Sequence, residues 1–125
     1  MSKKTPLNIK WLKDVKEQDY PAAESYLNLI YSPNKSFVLI STLRTGEITT
    51  FKSKDIFRAS GLSLLGVSNS HVKKDTRKIE KGEALSPLLL VRDEIHGKVV
   101  IADGYHRLCA VYQFDEDALI PCKIV

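Results

Sequence analysis

The chain has 125 residues, a formal net charge of +4, 27% charged and 43% hydrophobic residues. That length supports one domain, 1–125, with a real core, and excludes two independent ones. No apolar run approaches membrane-spanning length and Met1-Ser2-Lys3-Lys4-Thr5-Pro6 lacks the apolar core of a secretion signal, so a cytoplasmic protein with no membrane partner is expected.

Leu7-Asn8-Ile9-Lys10-Trp11-Leu12 alternates loosely and reads as a short edge strand. Asp19 is then a candidate cap and Pro21 a first-turn residue for a helix whose apolar face is Ala22, Tyr26, Leu29 and Ile30. Tyr31-Ser32-Pro33-Asn34 breaks it. Phe37-Val38-Leu39-Ile40 fits either a buried strand or a helix; the spacing Phe37, Leu39, Ile40, Leu43 leans towards a second helix, ended at Gly46 by a glycine cap. Ile48-Thr49-Thr50-Phe51 reads as a strand, and Ser53–Gly61 as a helix capped by Ser53, with Ile56 and Phe57 inward. Residues 62–68 form an apolar loop.

Asn69 or Ser70 caps a further helix running to Lys81-Gly82. His71, Lys74 and Lys78 stand at offsets of three and seven along it and share one face; Val72, Asp75 and Ile79 mark the neighbouring face. Strands follow at Leu88–Arg92 and Lys98–Ala102, joined by the hairpin-like Asp93-Glu94-Ile95-His96-Gly97. Ile120–Val125 supplies a closing strand. Cys109 and Cys122 follow no metal spacing and are expected as small buried hydrophobes. The sum is a small α+β domain with a mixed β-sheet and surrounding helices.

The chemistry concentrates where Val99-Val100-Ile101-Ala102 turns at Asp103-Gly104 and continues through Leu108, Cys109, Ala110, Val111 and Tyr112 as a helix. A helix start carries backbone N–H donors with no partner in the helix, and its dipole favours an anion. His106 and Arg107 lie in that first turn and can close on the same anion, for which a phosphate is the obvious candidate. The plainer alternative makes Asp103 a cap and leaves Arg107 in solvent.

Strand, Asp103-Gly104-Tyr105-His106-Arg107, helix and then Ile120-Pro121-Cys122-Lys123-Ile124-Val125 resembles the ParB/sulfiredoxin superfamily, as does Leu85-Ser86-Pro87-Leu88-Leu89-Leu90-Val91 before it. The resemblance covers 70–125 and leaves 1–69 as a helical N-terminal part of unassigned type. It implies a nucleotide, ATP or CTP, with phosphates at Gly104, Tyr105, His106 and Arg107, and with His71, Lys74 and Lys78 beside them. The Arg107 fork would then grip phosphate oxygens. His106 and Asp103 are the candidate catalytic residues of a phosphohydrolase or small kinase, Asp103 orienting His106 or holding Mg²⁺.

Tyr105 stands where sulfiredoxins place their reactive cysteine, so sulfinic acid repair is not expected. The resemblance also implies a second reading: a non-catalytic module associated with DNA or with a protein partner, able to form homo-oligomers. A nuclease is a third reading, opposed by the absence of clustered carboxylates near the turn.

Overall fold

The computed structural model describes residues 8–66 and 69–125. Among them the elements run α1 Asp19–Leu27, α2 Pro33–Thr45, β1 Thr49–Lys52, α3 Ser53–Ser60, α4 Ser70–Glu80, β2 Leu88–Asp93, β3 Lys98–Asp103, α5 Tyr105–Phe114 and β4 Leu119–Ile124. The strands form one sheet in the order β1-β4-β2-β3. β1 is antiparallel to β4, β4 parallel to β2, and β2 antiparallel to β3, which makes the sheet mixed as expected.

Helices cover both faces, which is why Leu88, Leu89, Leu90 and Val91 are consecutive and all buried. Leu88 and Leu90 pack with Ile56 and Phe57 of α3, Val72 and Ile79 of α4, and Leu108 to Val111 of α5. Leu89 and Val91 point to the other side and meet Tyr20, Ala23 and Leu27 of α1 with Ile40 and Leu43 of α2. Because β1 pairs with β4, the N-terminal part supplies a strand to the same sheet as the C-terminal part. Among the described residues no helix is long and apolar enough to cross a membrane.

Several local expectations change in three dimensions. The first strand reduces to a single parallel bridge between Trp11 and Leu85; Leu7, like Val67 and Ser68 of the apolar loop, lies outside the described residues. Gln18, rather than Asp19, occupies the cap of α1. The buried stripe of α1 is Asp19, Tyr20, Ala23 and Leu27, whereas Tyr26, Leu29 and Ile30 are exposed, as is Ala22. Phe37 is also exposed on α2, and Gly46 ends that helix with an extended φ of −74° instead of a left-handed one. Ser53 is the first helical residue of α3 and no cap; its Oγ donates to the carbonyls of Asp115 (3.0 Å) and Glu116 (2.7 Å), tying α3 to the turn before β4.

The remaining readings stand close to where the spacing put them. Asn69 caps α4, its Oδ1 accepting from the N–H groups of His71 (3.0 Å) and Val72 (3.2 Å). Gly61 closes α3 at φ +68°. Cys109 and Cys122 are both free and buried, and burial pushes the Cys122 thiol up to about 12.

Candidate functional site: a basic cleft at the end of β3

β3 ends at Asp103 and α5 begins at Tyr105, with Gly104 as its N-cap at φ +110°. The first α-helical bond of α5 runs from the Leu108 N–H to the Gly104 carbonyl (2.9 Å), so the amides of Tyr105, His106 and Arg107 have no partner in the helix. Glycine is required here on two counts. The φ lies in the left-handed half of the map, and a Cβ would sit 2.7 Å from Leu88 Cγ and 3.0 Å from Arg107 Nη2. The start of α5 is therefore pressed directly onto β2.

Every site residue expected from the sequence lines one cleft of about 200 Å³: His71, Lys74 and Lys78 from α4, and Asp103, Gly104, Tyr105, His106 and Arg107 from the turn, with Asp75 added. α4 packs along α5, and the His71 and His106 rings lie 4.8 Å apart between centroids at an interplanar angle of 40°. The Tyr105 ring centroid stands 5.5 Å from that of His106, and the Tyr105 hydroxyl donates to the Ser63 carbonyl of the loop before α4.

The roles within the cleft differ from those expected for Asp103 and Arg107. Arg107 Nη2 donates to Asp103 Oδ2 at 3.0 Å and to the Pro87 carbonyl at 3.3 Å, and lies 3.7 Å from Asp19 Oδ2. Its side chain is 17% exposed, against 19% for Asp103 and 12% for Asp19. Arg107 is thus a partly buried cation paired through Nη2 with acids from α1 and β3, while its Nε is buried without a hydrogen-bond partner among the described residues and the residue lines the cleft. Asp103 correspondingly turns to Arg107 instead of orienting His106, and it caps nothing. Asp19 is held in turn by Ser86, whose Oγ donates to Oδ2 at 2.6 Å.

Burial is the largest influence on Asp103 and raises its pKa; the Arg107 guanidinium pulls the other way without overcoming it. His106 is shifted down, first by burial and next by the neighbouring His71, while Asp75 acts in the opposite sense. The shift favours the neutral imidazole over the charged one.

Because Arg107 is offset by its acids, Lys74 and Lys78 are the cations facing the cleft without an ion-pair partner among the described residues. Asp103 was the expected Mg²⁺ ligand. Its Oδ2 is already shared with Arg107, and among the described residues no group of three His, Cys, Asp or Glu side chains is arranged to hold a metal ion. A single guanidinium-paired carboxylate does not by itself fit a divalent cation.

Two participants escaped the sequence reading. Asp75 was assigned to the adjoining face of α4, yet stands one turn from His71 and lines the cleft. Asp19 reads locally only as a helix cap, since its contact with Arg107 exists only once α1 is folded across the sheet. Comparison with known proteins finds no matching family model, no matching curated protein and no matching solved structure.

Proposed function

We propose that this cleft binds the phosphates of a nucleotide such as ATP or CTP in a cytoplasmic protein, with His106 as the proton-transfer group of a phosphohydrolase or phosphotransferase. The observation that supports it is the convergence of His71, Lys74, Lys78 and His106, from two separate segments, on one cleft at the start of α5. The helix start supplies N–H donors and a favourable dipole, and the lysines supply fixed charge. Burial and the neighbouring His71 shift His106 downward, which favours the neutral imidazole that can take up a proton as negative charge gathers. Arg107 acts in this reading as a positioning residue: it neutralises Asp103, which would otherwise repel the ligand.

Thermal unfolding tests the reading. Nucleotide at about a hundredfold above its dissociation constant should stabilise the fold by roughly 2.7 kcal/mol. An unchanged melting temperature with millimolar ATP, CTP, GTP and ADP, each with and without Mg²⁺, rejects it.

A pH series adds a second check. Binding favours protonated His106, so affinity should rise as the pH is lowered from about 8 to about 6. The groups facing that imidazole are His71, Lys74, Asp75 and Lys78 of α4, Asp103 of β3, and Tyr105 and Arg107 of its own helix. His106→Ala should flatten the profile and weaken binding at the acid end by roughly 1.5–3 kcal/mol, the scale of a charged hydrogen bond. An unaltered profile in the variant removes His106 from this role.

A further inference from the structure

We propose that the cleft recognises the polyphosphate chain itself and leaves the nucleoside unread, so that its ligand class is a terminal or inorganic polyphosphate. The inference rests on the phosphate-binding reading above and narrows it. The cleft measures about 200 Å³. Sites that enclose a whole cofactor-sized molecule run to roughly 300–1,000 Å³ and are walled mainly by apolar and aromatic side chains. Here the lining is mostly polar and charged: Lys74, Lys78 and the two histidines suit charged oxygens, and Asp75 and Asp103 stand among them.

The rings present are already engaged. His71 and His106 lie against each other at 4.8 Å, and Tyr105 approaches His106 at 5.5 Å while its hydroxyl is tied to Ser63. The contacts are tilted, at 40° and 49°, and do not form a parallel slot into which a purine or pyrimidine would slide. A phosphate chain needs none of them moved: Lys74 and Lys78, one turn apart on α4, can each meet a different phosphate group along it. Phosphate contacts of this type carry affinity and salt dependence without reading a base.

The competing cavity sharpens the distinction. A larger groove is lined by Phe57 and Tyr112, whose rings meet edge to face at 5.0 Å, together with Leu62 and Leu64, and is more apolar than the basic cleft. It shares no lining residue with the basic cleft. A base bound there would make the nucleoside a determinant of affinity.

Calorimetric titration of the intact chain with tripolyphosphate, ATP, CTP and adenosine separates the cases. Tripolyphosphate and both nucleotides should bind within about threefold of one another, and adenosine should not bind at millimolar concentration. Lys74→Gln combined with Lys78→Gln should weaken all three anions by a similar factor, about tenfold or more. Both lysines are on the surface of α4, and a melting curve confirms that the variant is folded.

Nucleotide binding tenfold or more tighter than tripolyphosphate, or measurable binding of adenosine, overturns the inference while the phosphate-binding reading stands. Equal affinities that do not respond to the lysine changes overturn it as well, because the anions then bind elsewhere. Failure of every anion to bind rejects both the inference and the reading beneath it.

Discussion

Gly104→Ala should destabilise the fold by roughly 2–5 kcal/mol, adding a left-handed backbone penalty of about 1–2 to an overpacking cost of about 1–3. That is a large part of the roughly 5–15 kcal/mol by which a domain is stable. The added methyl would stand 2.7 Å from Leu88 Cγ, and Leu88 cannot withdraw because it is fully buried between α5 and the rest of the core. Urea titration measures the loss. Leu88→Ala alone should cost about 2–5 kcal/mol through the cavity it leaves. In the double variant the alanine methyl partly fills that cavity, so the combined loss should fall well short of the sum. A Gly104→Ala variant within about 1 kcal/mol of the parent would show that this approach of helix to strand is not tight.

The second large effect belongs to Arg107. Arg107→Ala should cost roughly 3 kcal/mol, the low end for breaking a buried ion pair, because the partners retain some exposure. The loss arises less from the guanidinium itself than from what it leaves behind. Asp103 and Asp19 would remain close together, mostly buried, without the cation that offsets them. Arg107→Ala with Asp103→Ala should therefore lose less than the two single losses added together, and strict additivity would show that the pair is not coupled.

The pH dependence of Arg107→Ala carries a definite sign. The folded pKa of Asp103 is raised by burial, so the favourable contribution of this group is complete below the unfolded carboxylate value and is lost as pH rises through the folded one. Removing Arg107 takes away the counter-influence and deepens that loss. The stability gap between variant and parent should accordingly be wide near pH 7 and narrow towards about pH 4, where the carboxyl can be neutral. A gap that stays constant between those values would place the cost in packing instead.

Much of the molecule was legible from local pattern. The strand, the Asp-Gly turn and the helix after it appear where the apolar run and the glycine put them, because a β-branched run and a left-handed glycine are constraints on single residues and their neighbours. The shared face of His71, Lys74 and Lys78 follows from helical period alone, and the structure brings that face to the same cleft as His106. The α+β class and the mixed sheet were likewise readable from the alternation of element types.

What spacing could not supply was the choice of partners across the fold. Ala22, Tyr26, Leu29 and Ile30 looked like the buried face of the first helix, yet α1 ends at Leu27, before Leu29 and Ile30, and turns Asp19, Tyr20, Ala23 and Leu27 inward. Helical period states which residues share a face; the sheet order decides which face is covered. A carboxylate enters that buried stripe because Ser86 and Arg107, both distant in sequence, arrive to meet it. The same arrival changes the meaning of Arg107. Sequence by itself placed a guanidinium at the start of a helix, four residues after Asp103 and beside a site for an anion. Only the tertiary structure brought Asp19 to it, because that contact needs α1 folded across the sheet.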